Sequence, residues 1–483
     1  MVMERGTRIS CSVGELVARV ANDDLRIVGD ADVVVSGVCL DSRDVIPGDL
    51  FCCVRGTESD GHEFAHDAVT HGASALVVDH DIAGIDASIT KILTKDVRAV
   101  MGPLAAAFHG WPSTKMCIVG VTGTNGKTTT TAMLAAIFET TGNRTKVLGT
   151  LTGSRTTPEA TVLQSLLADS LVDGVTHVAM EVSSHALDQL RVDGTTFAAV
   201  VFTNLGRDHL DYHETTERYF AAKASLFIRD FSPIAVINSD DVHGRLLIDA
   251  RDGKTAPYSR NDVTEVQVTT DSVSFRWEGT TIDVPIGGDF NVDNAIAACV
   301  TAKELGFSVQ QIKSGLASLR PVKGRFEVVP NTLGLHVIVD YAHTPEALER
   351  LLTAVTADEG ARLVLVFGCG GDRDAGKRPV MGAIAAQHAD VVVLTSDNPR
   401  HEDPELIINQ IKTGIEKDSM EHVMSITDRR AAITAAVGLA QPGDVVVVAG
   451  RGHETQQDIA GEMHDFDDMA VATDALRERE ARA

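Results

Sequence analysis

Eight residues, Thr122 to Thr129 (TGTNGKTT), set two glycines, a lysine and a run of hydroxyl side chains between a short apolar stretch, CIVGV, and a helix-like one, TTAMLAAIFET. Gly123 and Gly126 let the backbone turn tightly, so that the amides of Thr124, Asn125, Lys127 and Thr129 can point at phosphate oxygens while the following helix adds partial positive charge. Lys127 is then placed to reach terminal phosphates, and the Thr128 hydroxyl to meet Mg²⁺. The strict G-x4-GK[ST] spacing is not met, because Val121 stands where the first glycine belongs. Strand before, GKT in the turn and helix after still point to ATP rather than to an incidental glycine turn.

The same grammar recurs along the chain. Apolar runs of strand length end in polar loops: Val178 to Met180 before EVSSH, Ala198 to Phe202 before TNLGRDHLD, Ala235 to Ile237 before NSDD, Val337 to Val339 before DYAHTP, Leu363 to Phe367 before GCGGDRDAGKRP, Val391 to Leu394 before TSDNPR, and Val445 to Val448 before AGRGHE. Near-continuous apolar strands alternating with helices predict an α/β fold with mostly parallel sheets. Ligands of such sheets bind beyond the carboxyl ends of the strands, where these clusters fall. HGWPSTK near 109–115 and PVKGRFEVVPNTLGLH near 321–336 punctuate the pattern. Three domains are therefore expected, at 1–112, 113–328 and 329–483, and 483 residues is ample for several cores.

Lys plus Arg number 43 against 68 Asp plus Glu, a net charge of −25 that disfavours nucleic acid while leaving room for a local cationic seat for a phosphorylated small molecule. No apolar run approaches the ~20 residues of a membrane span, and the first residues lack a secretory pattern. Seven cysteines, irregularly spaced and without CxxC or zinc-type His spacing, suit a reducing, cytoplasmic setting. Cys53 and Cys117 lie in apolar runs and are read as core filler.

Taken in order, GVTGTNGKTTT, EVSSHALDQLRV, TNLGRDHLDYH, VDYAHTP, FGCGGDRDAGKRP, DNPR and GRGHE resemble the motifs of the Mur ligase family, and VCLDSRDVIPGDLFCCVRG resembles its N-terminal UDP-substrate domain. The resemblance implies a central P-loop-type ATPase domain, a C-terminal Rossmann-like domain that receives an amino acid, and a monomer. It implies an ATP-dependent ligase of peptidoglycan synthesis, and hence of cell-wall growth, cell shape and division. Such an enzyme activates the D-Glu carboxylate of UDP-N-acetylmuramoyl-L-alanyl-D-glutamate as an acyl phosphate, which an amine then attacks. Two anions must meet in the first step, so charge neutralisation is the main catalytic task.

By the same resemblance Lys127, Glu181, His209 and Lys223 are catalytic, and Thr128, Glu181, His209 and Lys223, the last as a carbamate, hold Mg²⁺. Without it, Lys223 reads as a solvated helix lysine, and His209 as a hydrogen-bonded residue at a strand end. Asn294, Arg325, Asp340 and His343 are implied adenine and ribose contacts, although Asn294 by type alone reads equally as a helix-start cap. Leu40, Ser42, Thr57, Glu58 and Ser59 match uridine and diphosphate contacts, and Thr156, Thr157, Ser183, Gln189 and Arg191 match the muramoyl dipeptide seat; Arg155 stands where the family carries a residue such as Asn. Arg373, Asp397, Asn398, Pro399, Arg400, Gly450 and Glu454 match the amino-acid pocket. A guanidinium forks onto a carboxylate, so Arg400 of DNPR suits the second carboxylate of meso-diaminopimelate. Lysine, ornithine or diaminobutyrate are the alternatives. A folylpolyglutamate-synthetase-like ligase shares the GTNGKT type of loop but would not be expected to carry EVSSHALDQLRV with DNPR; a nucleotide switch has no use for an arginine pocket.

Overall fold

A computed structural model describes residues 9–56, 59–355 and 361–482, and these form two compact units. The first comprises the described residues up to Gly120 with Asn143–Val200 and Ser225–Pro233; the second comprises Val121–Gly142, Val201–Ala224 and Ile234 onward.

The first unit contains a five-stranded sheet in the order Arg26–Val28, Thr90–Leu93, Ala75–Val78, Asp49–Cys52, Gly37–Cys39, parallel except for the first pair. Val35, Leu50, Cys52, Val77 and Ile92 pack on Met101, Leu104 and Ala105 of helix Val97–Phe108. That helix starts where Asp96 accepts the amides of Arg98 and Ala99. Cys53 is fully buried, and burial, reinforced by Asp60 and Asp79, pushes its thiol up to about 12, as expected of core filler. Strands His177–Glu181 and Thr145–Leu148 are parallel neighbours in this unit.

In the second unit Ile234–Asn238 and Lys254–Tyr258 pair in parallel, and helix Lys127–Thr140 packs against Phe290–Glu304 and Val309–Ala317. An antiparallel meander, Thr264–Val268, Val273–Trp277 and Thr280–Val284, has no counterpart in the sequence reading. The last sheet runs Glu327–Val329, His336–Asp340, Val445–Ala449, Leu363–Phe367, Val391–Leu394, Val423–Ser425, antiparallel only at its first pair. DYAHTP, GCGGDRD, TSDNPR and GRGHE all leave carboxyl ends of its strands. Every strand expected from the apolar runs is present to within two residues. No helix among the described residues is long and apolar enough to cross a membrane.

Under this sheet Arg429 and Asp468, both wholly buried, share two hydrogen bonds of 2.7 and 2.6 Å, and Arg429 also donates to the Ala449 carbonyl. Removing one partner strands the other charge in the core, so Arg429→Met is expected to cost about 3–5 kcal/mol in denaturant unfolding. Pairing it with Asp468→Leu should recover most of that loss.

Candidate active site

The phosphate loop hangs from strand Cys117–Thr122 and turns at two glycines with positive φ, 152° at Gly123 and 86° at Gly126. Both are obligatory, since a Cβ at Gly123 would collide with Thr203 Oγ1 and one at Gly126 with Asn294 Oδ1. Asn204 fastens the loop: its carbonyl accepts the Thr124 amide and its Oδ1 the Asn125 amide, each at 2.9 Å. Buried Thr128 lies in the first turn of the helix, its hydroxyl accepting from Arg325 Nη2 at 3.1 Å. Thr129 is buried beside it.

Lys127 Nζ donates to the carbonyls of Gly123 and Thr124, both at 2.8 Å, and Lys223 Nζ donates to the same Gly123 carbonyl, also at 2.8 Å. Lys223 lies in helix Thr216–Ile228 and is 1% exposed, so the solvated helix lysine that residue type suggested is a buried one. Its ammonium lies 4.6 Å over the Tyr219 ring, one helical turn earlier, whose hydroxyl meets Thr124 Oγ1 at 3.0 Å. Burial first, then the charge of Lys127, push the Lys223 amine well below its ordinary range, with Asp208 opposing. Burial thus favours the neutral amine, the form that adds CO₂.

His209 stands seven residues beyond strand Ala199–Phe202, at φ 55°, as the residue preceding the short helix Leu210–His213, and not at the strand end itself. Its Nε2 is 3.3 Å from Asp208 Oδ2, which is 3.7 Å from His343 Nε2. Burial works against ionising Asp208, but the neighbouring His343 and the charges of His209 and Lys377 outweigh it and hold the carboxyl far below the usual range. Lys377 is buried and donates to the His343 carbonyl at 2.8 Å. Asn204, Asp208, Tyr219 and Lys377 all sit inside or one turn from motifs visible in the sequence, yet their roles were not read there.

Asn294 is the fifth residue of helix Phe290–Glu304, buried against Gly126, and does not cap it; Asp289 occupies that position. Asp340 accepts the amides of Phe326 and Ala342, both at 2.7 Å, and burial raises its carboxyl pKa. The Arg325 guanidinium lies 4.4 Å from the centre of the Tyr341 ring, with His343 and His453 packed on the same ring at 4.6 and 4.9 Å.

In the pocket of the last sheet, Asp397 and Asn398 are buried, and Asn398 Nδ2 donates to Glu454 Oε2 at 2.7 Å. Burial, then the charge of Asp397, raise the Glu454 carboxyl above its ordinary pKa. Half-buried Arg400 adopts φ 51° and donates Nη1 to the Gly371 carbonyl at 2.7 Å. Exposed Arg373 borders the same Gly370–Gly371 turn and lies 3.9 Å from Asp211. Pro399 closes the turn through its carbonyl, which accepts the Glu402 amide. Beneath, Arg378 is fully buried on Glu402, Gln410 and the Gly370 carbonyl, and Arg451 is fully buried with Nη2 on the Gln456 carbonyl; neither was singled out from sequence. Gly450 has φ 114°, and a Cβ there would lie 2.5 Å from Asp397 Oδ2. Gly450→Ala is expected to lower stability by about 1–3 kcal/mol and to raise KM for the amino acid more than for ATP, checked by thermal melting and steady-state kinetics.

The first unit holds its own cluster. Glu181 ends strand His177–Glu181, is 1% exposed, and accepts the Thr150 amide at 2.9 Å and the Thr150 hydroxyl at 3.2 Å. Thr156 Oγ1 is 3.0 Å from that hydroxyl, and Thr157 joins the Glu181 carbonyl to the Ser183 amide. Arg191 donates to the Thr157 carbonyl and to Gln189 Oε1. Arg191, Arg155 and Arg98 all converge on Glu159, at 3.0, 2.6 and 3.6 Å, so three cations face one carboxylate. Neither Glu159 nor Arg98 had been read from sequence. Leu40 packs on the core, Ser42 is buried and Ser59 is exposed, whereas Thr57 and Glu58 lie outside the described residues.

A glycine-turned phosphate loop carrying Lys127 and meeting buried Lys223, with a separate carboxyl-edge cluster rich in arginine and acid, defines a nucleotide-dependent α/β enzyme. Residues 34–109 match the catalytic domain of the Mur ligase family, 121–302 its middle domain, and 324–452 the "Mur ligase, glutamate ligase domain". A UDP-N-acetylmuramoyl-L-alanyl-D-glutamate–2,6-diaminopimelate ligase of Geobacillus kaustophilus is 41% identical over 93% of this chain and 96% of its own, and one of Xylella fastidiosa is 43% identical over 92% and 94%. A solved structure bearing the same name is 34% identical, covers 98% of this chain and 99% of its own, and superposes with a TM-score of 0.68. A Mycobacterium tuberculosis folylpolyglutamate synthase shares the fold at 19% identity and a TM-score of 0.59, over 72% of this chain and 91% of its own. The chain belongs to the Mur ligase family, whose members are ATP-dependent ligases that form amide bonds.

Proposed function

We propose that this enzyme adds meso-diaminopimelate to UDP-N-acetylmuramoyl-L-alanyl-D-glutamate in peptidoglycan synthesis, releasing ADP and phosphate. The relatives named above carry that activity in their names. The observation that carries the chemistry is the Lys127 ammonium and the buried Lys223 amine on one carbonyl, that of Gly123: Lys127 supplies positive charge where a carboxylate oxygen must attack the γ-phosphorus of ATP, and burial favours the neutral Lys223 amine that a carbamate requires. The bond from γ-phosphorus to the bridging oxygen breaks, ADP leaves, and the acyl phosphate is attacked by the diaminopimelate amine, which loses a proton as phosphate departs. Lys127 would bind the terminal phosphates, and Gly123 to Thr129 the rest of the triphosphate. The ring of Tyr341, with the Arg325 guanidinium over it and His343 beside it, offers a stacking surface for adenine.

Thr128, His209 and a Lys223 carbamate are oxygen and imidazole donors suited to Mg²⁺, which would neutralise phosphate charge, and the Glu181 carboxylate is a donor of the same class. The surplus of cations around Glu159 fits an anionic dipeptide beside Thr156, Thr157, Ser183, Gln189 and Arg191. Arg400 and Arg373 would take the distal carboxylate of diaminopimelate, and Glu454 its ammonium. On this reading the three modules are 1–112 for UDP, 113–328 for ATP and 329–483 for the amino acid, in a monomeric cytoplasmic enzyme.

The test offers purified protein UDP-dipeptide, ATP and Mg²⁺ with meso-diaminopimelate, lysine, ornithine or diaminobutyrate in turn, and weighs the product. Product with meso-diaminopimelate alone, and phosphate release only when both acceptor and amine are present, is the expected result. Product with lysine in preference to meso-diaminopimelate would overturn the specificity.

A further inference from the structure

In the first unit, strands Asp49–Cys52 and Ala75–Val78 are parallel neighbours, so the segments after them, Cys53–Arg55 and Asp79–His80, emerge side by side. Buried His62 lies against them. Its Nδ1 is 2.6 Å from Asp60 Oδ1, which fixes the proton there; its Nε2 then carries the lone pair, and the Asp79 amide donates to it at 3.3 Å. That lone pair also lies 3.2 Å from Asp79 Oδ1. Two acceptors facing each other at this separation repel, a repulsion that either a second ring proton or a bound cation relieves. His80 stacks on His62, ring centres 4.3 Å apart, and presents Nδ1 to the same Asp79 oxygen. One nitrogen from each histidine and one Asp79 oxygen lie within 4.8 Å of one another.

We propose that His62 Nε2, His80 Nδ1 and Asp79 form a Zn²⁺ site with its fourth position open to water, in addition to the catalytic machinery. Two imidazoles and a carboxylate are a zinc donor set, and Asp60 behind His62 is the carboxylate that orients and strengthens a ligating imidazole. Arg55 competes: its Nε lies 3.0 Å from Asp79 Oδ2 and 3.6 Å from Asp60 Oδ2, and its Nη2 donates to Asp79 Oδ1 at 3.2 Å and meets His80 Nδ1 at 3.5 Å. The site is therefore exchangeable and not a structural staple. His80 is half exposed, which gives the ion an entry path.

The test titrates metal-free full-length protein with Zn²⁺ by calorimetry, and with Co²⁺ by visible absorption, in excess Mg²⁺. Wild type should bind one ion more than His80→Ala, with the strong absorption of a four-coordinate Co²⁺ site. Asp60→Asn, which keeps all three ligands, should weaken that ion about 10- to 100-fold. Arg55→Gln should tighten it. His80→Ala should melt like wild type, so that its loss of metal is not a loss of fold. Equal stoichiometry and affinity in wild type and His80→Ala, or weaker binding in Arg55→Gln, would overturn the site and leave the cluster an ion-pair network.

Discussion

Lys223→Ala is expected to lower turnover by about a hundred- to a thousand-fold, the scale of losing one preorganised electrostatic group, while the protein still folds and binds ATP. The expectation rests on the amine's position: it is buried, bonded to the phosphate-loop carbonyl and driven toward its neutral form by burial and by Lys127. A neutral amine adds CO₂ to give a carbamate, converting a cation into an anion inside the site. If that anion is the working form, acetate or formate should enter the space vacated in the alanine variant and restore part of the rate. Lys223→Arg should not be rescued, because its guanidinium fills the space with the wrong charge. Activity of the alanine variant within a few-fold of wild type would remove the carbamate from the mechanism.

The second large effect concerns Arg400. Arg400→Ala should raise KM for meso-diaminopimelate by at least about a hundredfold, since truncating one partner of a buried charge pair costs roughly 2–5 kcal/mol. KM for ATP should change less than about twofold. Arg400→Lys should recover little, because one ammonium cannot make the two-bond fork and the Gly371 carbonyl already takes one guanidinium nitrogen. Equal losses for amino acid and ATP would mean that the arginine supports the fold and does not read the substrate. Arg373→Ala should be milder, because that side chain is exposed.

The strands and the loops that end them were legible because buried parallel strands leave continuous apolar runs, and Leu363–Phe367 and Val391–Leu394 were bounded to the residue. The meander at 264–284 was not: its strands, exposed throughout in Thr264–Val268 and alternately buried and exposed in the other two, are defined by pairing with each other and leave no unbroken apolar signal. Lys223 shows the same limit at a single residue. Its burial depends on the loop around Gly123, a hundred positions away, and no local pattern contains that information. Asn204 and Asp208 lay within a recognised string, yet which of its residues hold the loop and which hold the imidazoles emerges only from distances. Asn294 failed as a cap for a related reason: helix Phe290–Glu304 begins a turn earlier than the residue type implied.

One oxygen receives both amines, and the carbamate proposed for Lys223 would tie the enzyme to its atmosphere. While Lys223 remains a free amine, it shares the Gly123 carbonyl with Lys127 and sets two like groups against each other. Were dissolved CO₂ to carboxylate it, the same nitrogen would bring a negative charge that steadies its neighbour instead of opposing it. Degassed buffers and bicarbonate-rich ones should therefore give the same polypeptide different specific activities at one pH, and the ratio should drift as a solution equilibrates with air.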